Sequence, residues 1–232
     1  SEYHSLALKS DGTVVVWGDN WHNSYDVPEG LSDVIAIEAG GTGYNVALKS
    51  DGTVVAWGDN SLGMTDVPEG LSDVIAIEAG NHQCFALKSD GTIVVWGWES
   101  NPAITEMPEG LSDVIALATG ESNAAALKSD GTVVHWGSDW DGMTDVPEGL
   151  SDVVAIEAGR HHIVALKSDG TVVSWGRNNK GQTNVPAGLS NVVAVEAGMQ
   201  HSLVLKSDGT VVAWGKNTYG ESDPPEGLDG MQ

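Results

Sequence analysis

The string Leu-Lys-Ser-Asp-Gly-Thr recurs six times along this chain, with its lysines at Lys9, Lys49, Lys88, Lys128, Lys167 and Lys206. The copies lie 39 or 40 residues apart, and each is followed by a Trp-Gly pair at Trp17, Trp57, Trp96, Trp136, Trp175 and Trp214. A period of that length belongs to a solenoid or a propeller, because one such unit cannot bury its apolar face alone and stacked neighbours must cover it. The units begin near residues 1, 34, 74, 114, 153 and 192, so residues 1–232 are read as a single domain of six repeats.

Every repeat carries several Gly and at least one Pro, which leaves no uninterrupted stretch of helical periodicity. Strands fit instead: A at 34–39, B at about 45–49 and C at 53–57, rich in β-branched and aromatic residues. Ser50-Asp51-Gly52 between B and C reads as a tight hairpin turn, since Gly accepts the positive φ such turns need. A short strand D is expected near 65–67, on an outer edge because Pro68 cannot donate to a ladder. Three to four antiparallel strands per unit, six times over, predict an all-β protein, a β-propeller of six blades. The first repeat opens at strand B, so its blade is expected to be incomplete at the seam. Either the chain closes on itself as a monomer or a neighbouring copy fills the gap.

Composition narrows the partners. Ten Lys+Arg stand against 33 Asp+Glu, a formal charge of -23, which argues against nucleic acid and against an anionic membrane surface. More than half of that excess sits in repeated framework positions, so it says little about a specific partner. No run of 18 apolar residues exists to span a membrane, and no charged-then-apolar leader precedes the first repeat. Cys84 is the one cysteine, so no intramolecular disulfide is expected.

Comparison of the six copies separates framework from variation. The B–C turn is identical in all six, while the A–B and C–D loops differ every time. In an antiparallel meander those two variable loops emerge at one end of a blade, so one face is expected to be constant and the other diversified. Loops on a rigid scaffold are where recognition usually resides. The four tyrosines (Tyr3, Tyr25, Tyr44, Tyr219) and three tryptophans (Trp21, Trp98, Trp140) fall in the variable positions. So do six of the seven histidines, among them His22, His82 and His161. Tyr and Trp give large contact area with few rotors to freeze, so these ten residues are the candidate partner-binding set. The competing reading is that loop aromatics tuck back as packing.

The remaining chemistry is sparse. The six Trp-Gly tryptophans are expected in the core between blades. Glu38, Glu78, Glu157 and Glu196 recur near the end of strand A, where a solvated row of carboxylates is favoured over a cation site. His4, His162 and His201 share one repeat position and are expected to serve structural hydrogen bonds rather than zinc. Cys84 is expected to pack as a small hydrophobe. No nucleophile elbow, His-Glu-x-x-His or phosphate-cradling loop appears, so neither an enzyme nor a cofactor is expected.

Gly198-Met-Gln-His201-Ser202, then Leu205, Asp208-Gly209, Val211 and Trp214-Gly215-Lys-Asn217-Thr-Tyr-Gly220, resembles the repeat of the RCC1 (regulator of chromosome condensation) family. Trp175-Gly176-Arg-Asn178-Asn-Lys-Gly181-Gln182 matches it too, and Thr-x-Val-Pro at Thr65, Thr144 and Thr183 is similar to bacterial short-repeat members. The resemblance implies a propeller and a bacterial, secreted setting. Because that branch includes a β-lactamase inhibitory protein, it also implies a protein-binding, inhibitor-like role. Two alternatives share the pattern: a carbohydrate-binding propeller stacking sugars on loop Trp, and a structural or engineered repeat scaffold without a natural ligand. A nucleotide-exchange role is disfavoured, since nothing beyond the repeat is present to carry it.

Overall fold

The structure, a computed structural model, describes residues 4–18, 26–139, 142 and 144–224, apart from the side chains of residues 102 and 104. Tyr3, Trp21, His22, Tyr25 and Trp140 of the candidate binding set lie outside the described residues. The chain divides into two compact units, Ser1–Val114 and Ile115–Gln232.

The first unit holds three antiparallel sheets. One has two strands, β1 (His4–Leu8) and β2 (Val14–Gly18). The next has β3 (Val34–Ala39), β4 (Tyr44–Lys49) and β5 (Val54–Gly58), and the third has β6 (Val74–Ala79), β7 (Gln83–Lys88) and β8 (Ile93–Gly97). A single helical turn, α1 (Pro102–Thr105), follows β8. The second unit repeats the three-stranded pattern three times. Its sheets are β9 (Val114–Thr119), β10 (Asn123–Lys128) and β11 (Val133–Gly137); β12 (Val153–Ala158), β13 (His162–Lys167) and β14 (Val172–Gly176); and β15 (Val192–Ala197), β16 (His201–Lys206) and β17 (Val211–Gly215). No described helix is long and apolar enough to cross a membrane.

Each sheet is a meander whose hairpin is written in the repeated string. Lys49 N donates to Thr53 O, Gly52 N donates to Lys49 O, and Gly52 sits at φ 78°. The Asp51 carboxylate accepts the Thr53 amide and hydroxyl, locking the turn from within. The D–A connection is anchored to these turns. Asp73 adopts φ 61°, its carbonyl accepts Ser89 N, and Val74 N reaches back to Gly52 O of the preceding hairpin. Asp and Asn tolerate that left-handed backbone, which is why Asp33, Asp73, Asp113, Asp152 and Asn191 stand there.

No strand D forms among the described residues. Val67 N donates to Thr65 O, and the same tight turn recurs at Val146–Thr144 and Val185–Thr183. An amide spent on a residue two positions back cannot enter a ladder, so the blades stop at three strands.

Period-2 alternation on the middle strand builds the core. Val46 and Leu48 face the third sheet, where they meet Val74, Ile77, Ala86 and Trp96, while Ala47 faces the first sheet beside Val34 and Trp57. In the second unit Val164 and Leu166 meet Val192, Val195, Val204 and Trp214 in the same way. Five of the six Trp-Gly tryptophans are thereby buried, at 4–7% exposure. Trp17 departs from the expectation: it is 52% exposed.

Candidate functional site

The variable loops are tied together at one end of each three-stranded sheet. The amide that opens each C–D loop donates to an A–B loop carbonyl of the same sheet. In the first unit Asp59 N reaches Gly43 O at 3.1 Å and Trp98 N reaches His82 O at 2.9 Å. In the second, Ser138 N bonds Ser122 O, Arg177 N bonds His161 O and Lys216 N bonds Gln200 O, at 2.8–2.9 Å. The glycine of each Trp-Gly pair permits this approach. Gly97 lies at φ 118°, and a Cβ there would stand 2.5 Å from His82 O.

Loops of neighbouring sheets are also joined. Gly41 N donates to Gly80 O, and the Tyr44 hydroxyl lies 2.9 Å from Gly80 O and 2.8 Å from Gln83 O. Trp96 Nε1 and Cys84 Sγ both donate to Met64 O, and Trp214 Nε1 and Ser202 Oγ both donate to Gln182 O. Inside the C–D loop an asparagine takes the place of a strand. Asn60 Oδ1 accepts Thr65 N while its Nδ2 donates to Asp66, and Asn178 and Asn217 repeat this.

On this framework the described candidates fall into distinct environments. Tyr219 is 86% exposed, with Lys216 Nζ 5.2 Å from its ring centroid and its amide donating to Glu221. Trp98 is 39% exposed and meets His82 edge-on at 5.8 Å. His161 is mostly covered, its Nε2 3.2 Å from Glu121. Glu121 also accepts two hydrogen bonds from the Arg160 guanidinium, at 2.7 and 2.8 Å. Tyr44 is corrected: it is fully buried, its ring inside the core and its hydroxyl spent on two carbonyls, so it offers no contact surface. Burial pushes its phenol well above the ordinary value.

Other side chains at these ends carry polar structure. His4 Nε2 donates to Asn45 Oδ1 at 2.6 Å, and His162 Nε2 lies 2.9 Å from Ser202 Oγ. The single Ser202 proton goes to Gln182 O, so His162 is the donor and its buried Nδ1 has no partner. Burial, with His201 and His161 nearby, lowers the His162 pKa to about 4. Burial raises the Cys84 thiol to about 12, so it is no nucleophile at neutral pH. Among the described residues no group of three or more His, Cys, Asp or Glu is placed to hold a metal ion.

The aromatic-and-histidine criterion missed several exposed groups. Leu62 and Met199 are exposed on variable loops, and Arg160 reaches solvent beside Glu121. At the opposite, constant ends, Ile35, Ile75, Ile115, Val154 and Val193 are 53–56% exposed. A register shift at this point, shown for Ile35, Ile75, Val154 and Val193, turns the second residue of strand A out of the ladder. A bulge has no signature in an apolar run, so alternation alone could not find them.

Repeated three-stranded sheets packed face to face, with cross-linked loops at one end, define a β-propeller repeat protein. The family model for the regulator of chromosome condensation (RCC1) repeat matches residues 1–23, 34–63, 153–182 and 192–221, and the chain is an RCC1-like repeat protein. Prp20p from Saccharomyces cerevisiae, in a study of its binding to Gsp1p and histones, is 22% identical over 86% of this chain, with a TM-score of 0.70. This chain spans 61% of that protein's length. Yeast RCC1 (Prp20) bound to Kap60 is 20% identical over 93% of this chain and 68% of its own, TM-score 0.76. The ectodomain of the Physcomitrella patens receptor kinase CR4 is 22% identical over 92% of this chain and 59% of its own, TM-score 0.74. These likenesses concern the fold. No curated protein matches the chain.

Proposed function

We propose that this chain is a protein-binding scaffold, not an enzyme, whose variable A–B and C–D loops contact a protein target, in the manner of an inhibitor. The observation that carries the reading is the contrast within each sheet. Turns at one end are invariant, while loops at the other differ in every copy and are held rigid by backbone bonds. Pre-organised loops lose little entropy on binding, and exposed Trp98 and Tyr219 are of the kind that anchor protein interfaces. The relatives studied with Gsp1p, histones and Kap60 support a protein partner. The acidity of this chain makes a nucleic acid unfavourable.

The test starts from a partner captured on the immobilised chain, identified by mass spectrometry and purified. Trp98→Ala and Tyr219→Ala, each measured alone, should leave the thermal midpoint in place. At least one should weaken the dissociation constant by about 30-fold, roughly 2 kcal/mol. Full affinity in both variants would remove the loops from the interface. Signal on a glycan array without protein capture would favour the carbohydrate-binding alternative.

A further inference from the structure

The repeats are not alike in charge, and one stands apart. Between Glu157 and Glu196 a single acid, Asp169, stands against four bases, Arg160, Lys167, Arg177 and Lys180. The matching stretch between Glu38 and Glu78 has five acids and one lysine, and every other copy also carries more acids than bases. Only four bases of the chain lie outside the repeated Leu-Lys-Ser-Asp-Gly-Thr string. Three of them fall in this one copy, all on its A–B and C–D loops.

The acids of this copy are lost without a change of structure. Asn184 stands where the second sheet has Asp66, and it accepts Asn178 Nδ2 at 2.7 Å as Asp66 accepts Asn60 Nδ2 at 2.8 Å. Asn191 stands where Asp73 does; it keeps the left-handed backbone at φ 59°, and its carbonyl accepts Ser207 N as Asp73 O accepts Ser89 N. Ala187 replaces the glutamate of the D–A connection, yet Leu189 N still donates to Pro186 O at 3.2 Å, as Leu71 N does to Pro68 O. The one acid retained, Asp169, is the one that locks the hairpin through Thr171. Hydrogen bonding and turn geometry are thus served equally by charged and neutral residues, and they do not account for the loss of charge in one copy alone.

The bases gather at the variable end of a sheet flanked on both sides. Ile163, Ala165 and Trp175 of β12–β14 pack toward β9–β11, while Val164 and Leu166 pack toward β15–β17. Arg177 N donates to His161 O, which joins the loop that carries Arg160 to the loop that carries Arg177 and Lys180. Lys180 is exposed. The Arg160 side chain is 40% exposed while its guanidinium is held on Glu121 of the preceding sheet.

We infer that these two loops receive an acidic segment of the protein target, its Asp or Glu side chains lying against Arg177 and Lys180 with Arg160 at the margin. The inference rests on the scaffold reading above and adds the chemistry of the contact. The patch is one sheet wide, and the copies on either side carry more acids than bases. A nucleic-acid strand or an anionic membrane running past it would be repelled on both sides, whereas a short run of carboxylates fits within it. The same repulsion steers such a segment away from the other loop ends and toward this one.

The probe is hexaglutamate in 0.1 M sodium chloride, where a Debye length of about 10 Å screens the more distant copies. Titrated into the isotope-labelled chain, it should shift the amide resonances of residues 160–161 and 177–181 saturably and leave the other loop ends in place. A variant with Arg177→Ser, Lys180→Leu and Asn184→Asp takes the residues that other copies carry as Ser138, Leu62 and Asp66. It should keep the thermal midpoint and bind the probe at least tenfold more weakly. Lys180→Glu alone, at an exposed side chain, should weaken binding in the same direction. No shifts at these loops, or shifts that survive both variants, would overturn the inference, as would hexathymidylate binding there more tightly than hexaglutamate. A captured target that the triple variant binds unchanged would overturn the acidic contact and leave the scaffold reading standing. Hexaglutamate bound at these loops with no protein captured would support the patch and remove the scaffold reading instead.

Discussion

A histidine that keeps one nitrogen unpartnered in the core carries a pH dependence with a definite sign. His162 has its pKa lowered to about 4, mainly by burial, against about 6.5 when exposed. Between those values the unfolded chain binds the proton and the folded chain does not, so stability is lost as pH falls from 6.5 toward 4. At 1.36 kcal/mol per pKa unit the loss reaches about 3 kcal/mol. Urea unfolding at pH 7, 5.5 and 4.5 should show that slope, and His162→Gln should flatten it. Gln83 fills the equivalent position in another repeat, so the fold accepts the side chain. The turn aspartates act at lower pH and with the same sign. Thr210 holds Asp208 at about 2 through its amide and hydroxyl, and the Asp11, Asp51, Asp90, Asp130 and Asp169 carboxyls are lowered by their own threonines. Their contribution is complete above about pH 4 and is lost as pH falls below that, toward about 2 for Asp208.

At the scale of the element, the same dipeptide has different costs in different sheets. Trp57→Ala should cost about 3–5 kcal/mol, since the indole is buried against the first sheet. Trp17→Ala should cost under about 1 kcal/mol because half of that ring is already in water. Chemical denaturation of the two variants side by side measures the contrast; equal losses would mean that Trp17 is covered. The glycine that follows is set by the loop above it. Gly97→Ala forces a Cβ against His82 O at a backbone angle side chains avoid, and should cost about 1–3 kcal/mol. Amide exchange should locate that loss first at Trp98, whose amide bonds the same carbonyl.

At the scale of the whole molecule the charge dominates. A formal charge of -23, with a Glu and an Asp on four of the D–A connections, repels itself in the compact state. Raising sodium chloride from 10 mM to 0.3 M should therefore raise the thermal midpoint, since the Debye length shrinks below the spacing of like-charged turns. A midpoint that falls with salt would show that ion pairs such as Arg160–Glu121 outweigh the repulsion.

The repeat made most of the secondary structure legible, because Gly, Asp and Thr at fixed offsets specify a hairpin from short-range chemistry alone. Strand A was placed to the residue and strands B and C to within one, each starting from a local signal. Strand D was not legible, since Thr65 to Val67 differs from an edge strand only in where one amide points. The loop residues divided for a similar reason. Tyr44, Trp98 and Tyr219 look alike as loop aromatics, yet the carbonyls of Gly80 and Gln83 draw Tyr44 inward while nothing comparable encloses Tyr219. By itself the sequence determined the repeat unit, its strands and turns, and the contrast between constant and variable ends, because each is encoded within a few residues of itself. The tertiary structure decided which aromatic is core and which is surface, turned the second residue of strand A outward, and left half of Trp17 in water. Burial depends on whether a neighbouring sheet arrives, and no short stretch of sequence contains its neighbour.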